Sequence, residues 1–295
     1  MVQPLCSSVR FYEARHRVSN LALIRRVEVQ SLNGLLKALL CSGVATLSFR
    51  AETIPSMKAI AVIPSHLAST RLPRKALRNL GGLPMVGQVY RGVAASPLLA
   101  DIIIATDAEE ILGVCQKNGW HACMTSPDHR SGTERVHEVS NHVSADIYLN
   151  VQGDEPLTRP EHIASLLAVM SDTTVQVGTL KTPAAEIDIQ NRNAVKVVTD
   201  STGRALYFSR ATIPFDRDGV RPPYYKHLGF YAYRKPALDR FVALPESFLE
   251  RSERLEQLRF LENGTPIYVG ETPHDTVGVD TEEDLRRVEE ILRSR

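Results

Sequence analysis

The chain has 295 residues, of which 43% are hydrophobic and 23% charged, and its formal net charge at pH 7 is +1. These values are typical of a globular protein that can bury a full core, and they give no indication of a nucleic-acid-binding surface. The charge is uneven, because residues 1–56 hold seven basic and three acidic residues, whereas residues 57–295 hold 28 basic and 31 acidic ones.

Cysteine content and hydropathy predict the cellular location of the protein. The chain contains four cysteines, Cys6, Cys41, Cys115 and Cys123. They form no CxxC pair and are too few for a disulfide framework, which predicts a reducing, cytoplasmic location. The apolar stretch that begins at Leu35 is interrupted by Lys37 and is shorter than the roughly 20 residues that cross a bilayer. We therefore predict no membrane insertion.

The first 56 residues form a basic N-terminal extension that ends just before Met57. Three interpretations of this extension stay open: a targeting segment, an added helical element, or an upstream start that the working protein does not use. Met57 lies immediately before the first convincing strand.

From Met57 onward, short apolar runs alternate with helical patterns, as in a sheet flanked by helices. Most of the runs are almost continuously apolar, which is typical of central parallel strands covered on both faces. The predicted strands are 59–64, 101–106, 121–125, 146–151 and 175–180. The predicted helices between them are 84–96, 108–119 and 160–170. This pattern predicts a nucleotide-binding α/β first half.

The second half predicts a smaller, mixed α/β part. Residues 194–209 read as a hairpin with its turn at 200–203, and residues 227–234 read as a further strand. The remaining predicted elements are helices 236–244 and 252–264, strand 266–270 and a last helix 281–293.

The loop after the first strand is rich in cations and hydroxyls, and in an open α/β sheet this loop is a preferred phosphate site. Arg71, Arg74 and Lys75 can neutralise negative charge, and Ser69 and Thr70 can donate hydrogen bonds to phosphate oxygens. A solvated surface loop is the alternative. The segment contains no glycine, so it is neither a Walker A loop nor a GxGxxG turn.

Two further strand ends carry polar residues. Asp154 and Glu155 directly follow a buried apolar run, where an acidic pair must either hold a cation or lie in solvent at the sheet edge. Mg²⁺ bound by one or two carboxylates and by nucleotide phosphates suits this place. Asp107 follows another run and is equally suited to be a helix N-cap.

With these residues in view, the chain resembles the CMP-Kdo synthetases, which are 3-deoxy-D-manno-octulosonate (Kdo) cytidylyltransferases. The stretches that carry the resemblance are ASTRLPRKAL, IIIATD, MTSPDHRSGTERV, NVQGDEPL, NRNAVKVV, ALYFSRATIPFDRD, HLGFYAYR, LEQLRFLENG and GVDTEEDL. They run in the family's order from Met57 to the C-terminus.

The resemblance implies a Rossmann-like nucleotide-diphospho-sugar transferase fold, with a mostly parallel central sheet flanked by helices and a smaller mixed part. It implies one cytidylyltransferase domain over 57–295, and a homodimer is the family expectation. The implied reaction transfers CMP from CTP to Kdo and releases pyrophosphate, which activates Kdo for lipopolysaccharide synthesis.

The resemblance also assigns roles to particular residues. The implied catalytic groups are the triphosphate-binding cations Arg71 and Lys75 and the Mg²⁺-binding carboxylates Asp154 and Asp280. The implied nucleotide-binding set adds Ser69, Thr70, Arg74, Asp107, Ser131, Gly132, Thr133 and Glu134. The implied sugar-binding residues are Gln152, Arg210, His227, Tyr231, Glu256 and Gln257.

Several of these residues have a structural alternative. Ser131 to Glu134 has the spacing of a helix capping box, and Asp280 lies where the last helix can be capped. Arg210 can instead pair with Asp216 or Asp218, and the alternating position of Tyr231 suits a core residue. His227 can equally be structural.

The phosphate loop departs from the family pattern at three positions. The family usually has arginine at His66, glycine at Arg74 and proline at Ala76. Neutral His66 supplies a hydrogen bond without a permanent charge, and Arg74 is strained if it needs φ > 0. We hypothesise an active enzyme whose Arg74 replaces the missing charge. A synthetase for sialic acid or amino-Kdo, or a low-activity nucleotide-binding paralogue, is the alternative.

Overall fold

The structure is a computed structural model in which residues 11–12, 57–69 and 71–294 are described. Of the predicted N-terminal extension, only Phe11 and Tyr12 belong to these residues, and they form a two-residue strand against residues 122–123. The rest of residues 1–56, and with it the choice among targeting segment, helical element and unused start, lies outside the described residues.

Most strands of the described chain belong to one large sheet. In chain order the strands are β1 (Phe11–Tyr12), β2 (Ala59–Ser65), β3 (Asn79–Leu80), β4 (Leu83–Pro84), β5 (Asp101–Thr106), β6 (Ala122–Met124), β7 (Ile147–Val151), β8 (Val177–Pro183), β9 (Lys196–Thr199), β10 (Ala205–Ser209), β11 (Tyr225–Tyr233) and β12 (Tyr268–Glu271). The sheet order is β1-β6-β5-β2-β7-β11-β8-β12, with β9 paired to β11 and β10 to β9, while β3 and β4 form a separate hairpin.

Helices cover the sheet. In chain order they are α1 (Met85–Ala94), α2 (Glu109–Asn118), α3 (Gly132–Ser140), α4 (Pro160–Val169), α5 (Glu186–Ile189), α6 (Lys235–Ala243), α7 (Phe248–Glu253), α8 (Leu258–Glu262) and α9 (Glu282–Arg293). Pro160 occupies the first turn of α4, and Gly119 ends α2 at φ 68°. None of the helices in the described part of the chain is long and apolar enough to span a bilayer.

The predicted α/β fold is confirmed. Strands β6, β5, β2 and β7 run parallel, and every residue of β2 is buried. Ser65 pairs with Thr106 across β2 and β5. Because parallel strands end at the same edge, the loops after β2, β5 and β7 meet there, and this edge positions the site described below.

The second half contains the predicted hairpin, since β9 and β10 pair antiparallel around a turn that includes Gly203 at φ 83°. Strand β11 is antiparallel to both β7 and β8, so it joins the hairpin to the parallel part of the sheet. It begins at Tyr225, two residues before the predicted start.

The prediction of one helix over 252–264 is wrong. The chain adopts φ 55° at Arg254, which ends α7, and α8 begins only at Leu258. The physical reason lies in a contact between the two helices: Arg259 Nε donates to Glu250 Oε2 at 2.7 Å, and both residues are buried. The chain must fold back at Arg254 to bring these charges together.

A small hydrophobic cluster fastens the last helix to the loop after β2. Its buried members are Leu72, Leu80, Met85, Leu157, Val279, Leu285 and Val288. Leu72 is 1% exposed and belongs to the same segment as Arg71 and Lys75. Packing of this leucine against α9 therefore stabilises the cationic loop.

We expect Leu72→Ala to lower the free energy of unfolding by about 3 kcal/mol, because it removes buried methyl groups and leaves a cavity. Urea denaturation followed by circular dichroism measures the change. Leu206→Ala is the matched control, since Leu206 is 56% exposed and should change stability little. Equal effects of the two substitutions would contradict the proposed anchoring role.

Candidate active site

A polar cleft of about 210 Å³ opens at the edge where β2, β7 and the start of α3 meet. Its lining residues are Pro64, Ser65, His66, Lys75, Ala76, His129, Arg130, Ser131, Gly132, Arg135, Gln152, Gly153 and Asp154. Gly153 is required by close packing, because a Cβ there would lie 2.6 Å from the carbonyl oxygen of Pro64. The loops after β2 and β7 therefore form one wall.

Lys75 lies between two carboxylates from distant parts of the sequence. Its Nζ is 2.7 Å from Asp154 Oδ2 and 2.9 Å from Asp280 Oδ1. Arg71 Nη2 lies 2.9 Å from Asp280 Oδ2. The loops are also joined through the backbone, since Val279 N donates to the Asp154 carbonyl at 2.9 Å. The structure thus brings together the four groups that sequence reasoning assigned to catalysis.

The electrostatics of this cluster favour a charged lysine. Burial by itself lowers the pKa of Lys75, but the carboxylates of Asp154 and Asp280 outweigh burial and hold the pKa above its ordinary value. The ammonium is mostly buried, with 14% of the side chain exposed, whereas Arg71 is 62% exposed. Arg71 is consequently free to adjust to a ligand, and Lys75 is held in place.

The segment from Ser131 to Glu134 begins α3, as its capping spacing predicts. Ser131 Oγ accepts from the backbone N of Glu134 at 3.2 Å. Ser131 and Gly132 face the cleft. Thr133 turns inward, where its hydroxyl donates to Glu256 Oε1 at 2.8 Å. The Glu134 carboxylate accepts from the backbone N of Arg130 at 2.7 Å.

Two residues of the predicted sugar-binding set, His227 and Tyr231, lie on β11. His227 is within 2.9 Å of Thr179 Oγ1, and its ring centroid is 5.5 Å from that of Tyr231. Tyr231 is 4% exposed, and Phe230 and Tyr233 beside it are also in the core. The alternative reading of these aromatic residues as core is confirmed, and a role in sugar binding stays a prediction.

Gln152 lines the cleft, and polar atoms of Glu256 and Gln257 are buried nearby without a partner among the described residues. Arg210 donates from Nε to the Glu253 carbonyl at 2.8 Å and from Nη1 to the Arg192 carbonyl at 3.1 Å. The alternative in which it pairs with Asp216 or Asp218 is wrong, because the Asp216 carboxylate instead accepts backbone hydrogen bonds in its own loop.

Burial lowers the pKa of His227 to about 3, against an ordinary value near 6.5. As pH falls below about 6.5 the unfolded chain takes up a proton at this histidine that the folded protein refuses, so His227 by itself contributes a loss of stability of about 1.4 kcal/mol per pH unit until about pH 3. We expect His227→Gln to remove this contribution, so that the variant loses less stability than wild type at acid pH in urea denaturation series. Parallel slopes for wild type and His227→Gln would contradict the assignment.

Ser69 and Asp107, two further predicted nucleotide-binding residues, do not line the cleft. Ser69 Oγ accepts from the backbone N of Leu72 at 3.4 Å, and Thr70 lies outside the described residues. Asp107 is ion-paired with Arg135, its Oδ2 lying 2.8 Å from Nη2. The alternative that Asp107 caps a helix is wrong, because Ala108 occupies the N-cap of α2.

Arg74 has the left-handed conformation that its family-pattern glycine would favour, with φ 58° and ψ 32°. Its guanidinium pairs with Glu110 on α2, in a groove separate from the cleft. His66, by contrast, lines the cleft. The hypothesis that Arg74 replaces the charge missing at His66 gains no support from this geometry, and its role in nucleotide binding stays a prediction.

We expect Arg74→Gly to raise the free energy of unfolding by about 1 kcal/mol, since it relieves a left-handed residue, while the lost exposed ion pair contributes little. Combined with His66→Arg, it should also raise turnover with CTP by restoring the cation in the cleft. Chemical denaturation and pyrophosphate release measure the two effects. Arg74→Asn, which tolerates this conformation better than arginine, is the control. Lower stability of the glycine variant would refute the strain argument.

Sequence reasoning missed Arg135 and left open whether Glu155 holds a cation or lies in solvent. Arg135 is 4% exposed, faces the cleft and donates to Thr125 Oγ1 at 2.6 Å. Its position inside HRSGTER was the available signal. Glu155 accepts from Thr276 Oγ1 at 2.6 Å, and burial raises its pKa to about 7. Only the tertiary contact with Thr276 distinguishes it from a solvated acid beside Asp154.

Comparison with known proteins places this geometry in a family context. A model described as cytidylyltransferase matches residues 60–270. The 3-deoxy-manno-octulosonate cytidylyltransferase of Koribacter versatilis is 66% identical over 247 residues, covering 83% of this chain and 94% of that protein. The protein of the same name from Acidobacterium capsulatum is 55% identical over 241 residues, covering 81% and 98%.

Solved structures agree with the sequence comparison. The structure of CMP:2-keto-3-deoxy-manno-octonic acid synthetase complexed with CTP matches with a TM-score of 0.77 at 40% identity, covering 80% of this chain and 99% of that one. The 4-diphosphocytidyl-2C-methyl-D-erythritol synthase of Anaerococcus prevotii matches with a TM-score of 0.54 at 15% identity, covering 81% and 99%, and shares the fold.

Proposed function

This chain belongs to the 3-deoxy-manno-octulosonate cytidylyltransferase family, and from that premise we propose how its site transfers CMP from CTP to Kdo. The anomeric hydroxyl of Kdo attacks the α-phosphate of CTP, and pyrophosphate leaves. The observation that carries the proposal is the meeting of Lys75, Asp154 and Asp280 beside the polar cleft.

The cations of this cluster are placed to stabilise the charge that develops in the transition state. Negative charge grows on the α-phosphate oxygens and on the leaving pyrophosphate, so fixed positive groups accelerate the reaction. Lys75 is held rigidly by its two carboxylates, and Arg71 reaches the same cluster from the solvent side. We assign Lys75 to orienting the triphosphate and Arg71 to closing over it.

Asp154 and Asp280 fit a Mg²⁺ site. Their carboxylate oxygens already share one cation, the Lys75 ammonium, which demonstrates that both can face a single positive charge. Mg²⁺ commonly uses one or two carboxylates and takes its other ligands from phosphates and water. When bound, the ion would supply charge neutralisation at the phosphates. The protein's own contribution is to keep the two carboxylates convergent through the Val279 to Asp154 backbone hydrogen bond.

The nucleoside and sugar ends are proposed from the rest of the cleft. Ser131 and Gly132 present a hydroxyl and a helix N-terminus toward the nucleotide. On the sugar side, Glu256 Oε2 is buried with no protein partner among the described residues and can accept from a hydroxyl, while Gln257 Nε2 can donate. These unpaired groups support recognition of a polyhydroxylated acid.

The function is tested by measuring pyrophosphate release from CTP and Mg²⁺, with and without Kdo, with UTP and sialic acid as control substrates. We expect release only when CTP and Kdo are both present. Release with sialic acid in place of Kdo would mean that the substrate is a different sugar acid. CTP binding without release would favour the low-activity paralogue.

We also propose an oligomeric state and a cellular location for the protein. We propose a homodimer, which the exposed apolar side chains of Phe215 (85%) and Val220 (78%) support. Sedimentation velocity should then give twice the chain mass of 32.8 kDa, and a monomer mass would refute the dimer. Free thiols at Cys115 and Cys123 support a reducing cytoplasm, where CMP-Kdo would feed lipopolysaccharide synthesis.

A further inference from the structure

We propose that Glu155 and Thr276 form a positioning clasp, which holds the loop that carries Asp280 against the loop that carries Asp154. This inference rests on the proposed function, because it assigns a role to residues behind the two carboxylates of that site. Neither residue lines the cleft itself. Their role would be to keep the carboxylate pair convergent.

The clasp joins the same two loops as the site. Glu155 directly follows Asp154, and Thr276 lies four residues before Asp280. Thr276 Oγ1 donates to Glu155 Oε2 at 2.6 Å, and Thr276 is 3% exposed. A second direct contact between these loops is the backbone hydrogen bond from Val279 to the Asp154 carbonyl. These two contacts, made by Thr276 and Val279, restrict rotation of one loop against the other.

Two glycines lie beside the Glu155 carboxylate. A Cβ on Gly278 would lie 3.4 Å from Glu155 Oε1, and a Cβ on Gly229 would lie 3.9 Å from it. The carboxylate therefore lies close to the Gly278 and Gly229 backbones, one in the Asp280 loop and one in β11. A Cβ at either position would only reach van der Waals contact with this carboxylate.

The Asp280 loop also contacts β11, the strand that carries the predicted sugar-binding residues His227 and Tyr231. Lys226 Nζ donates to the Thr276 carbonyl at 3.1 Å and pairs with Asp275 Oδ1 at 2.9 Å. Lys226 precedes His227 on β11. The Asp280 loop is thus fastened on one side to the Asp154 loop and on the other to β11, so the clasp sets the metal end of the site relative to the sugar end.

The test compares substitutions that break the clasp with others that keep it. Thr276→Val and Glu155→Ala remove the donor and the acceptor. Thr276→Ser keeps a hydroxyl, and Glu155→Gln keeps an acceptor oxygen. Thr265→Val is the control for loss of a buried hydroxyl, because Thr265 is 6% exposed, against 3% for Thr276, and lies outside the site. Isothermal titration calorimetry gives the Kd for CTP with Mg²⁺ and with EDTA, and steady-state kinetics give kcat and KM.

We expect wild type to bind CTP more tightly with Mg²⁺ than with EDTA. Thr276→Val and Glu155→Ala should lose roughly 10-fold or more of that tightening and a similar factor in kcat, as is usual when a partner behind a metal ligand is removed. Their Kd in EDTA should stay near the wild-type value, and Thr276→Ser and Glu155→Gln should recover most of the loss. The double variant should be no worse than either single one.

The clasp is overturned if Thr276→Val keeps the wild-type effect of Mg²⁺ on CTP binding and differs only in melting temperature, as Thr265→Val should. It is also overturned if Glu155→Gln loses as much as Glu155→Ala, because the hydrogen bond is then not the cause. Failure of the proposed function is distinguishable, since it appears as absence of CTP and Kdo turnover in wild type, while the binding comparison still decides the clasp.

Discussion

Replacing either carboxylate of the central pair, by Asp154→Asn or Asp280→Asn, should lower kcat for CMP-Kdo formation by about 10³-fold or more. Each substitution removes one oxygen ligand from the proposed Mg²⁺ site and one of the two charges that hold Lys75. A loss of several kcal/mol of transition-state stabilisation corresponds to a factor of this size. The side-chain volume is unchanged, so packing should be preserved.

The measurement is steady-state pyrophosphate release at saturating CTP and Kdo over a series of Mg²⁺ concentrations. Asp239→Asn is the matched control, because it removes an exposed carboxylate that pairs with Lys235 far from the cleft. Near wild-type activity in either site variant, with circular dichroism showing a folded protein, would refute the assignment of that carboxylate.

Lys75→Met should lower kcat by about 10²–10³-fold, which is the effect of removing one positioned charge donor from a transition-state site. The methionine nearly matches the length of the lysine stem but leaves Asp154 and Asp280 facing each other without their shared cation. Repulsion between the two carboxylates should therefore also destabilise the loops when no Mg²⁺ is present.

Two readouts separate these effects. Pyrophosphate release gives kcat, and thermal unfolding with and without Mg²⁺ gives the stability of the loops, which Mg²⁺ should restore more in Lys75→Met than in wild type. Lys117→Met serves as the control, since Lys117 is an exposed residue of α2. A variant that keeps full kcat would mean that Arg71 alone orients the triphosphate.

Local sequence patterns were sufficient to locate the buried parallel strands and the polar residues that follow them. Continuous apolar runs identified β2, β5 and β7, because a strand buried on both faces needs apolar residues throughout. The residues directly after these runs are polar, and parallel strands must end at one edge. Family resemblance then paired Asp154 with Asp280, which no local pattern connects across more than a hundred residues.

Side-chain directions were decided only by the tertiary structure. Arg74 stands one residue before Lys75 in the same cationic loop, yet φ 58° turns it toward Glu110 while Lys75 enters the site. The break at Arg254 likewise follows from the buried contact of Arg259 with Glu250, which overrides a continuous helical pattern.

The amino-acid sequence by itself determined most of the strands and helices and the chemical groups that stand at their ends, because periodicity and composition act over neighbouring residues. The fold alone decided which of those groups meet. Glu155 and Thr276 are separated by 121 positions, and their hydrogen bond exists because the sheet brings the two loops to one edge, where Thr276 is buried.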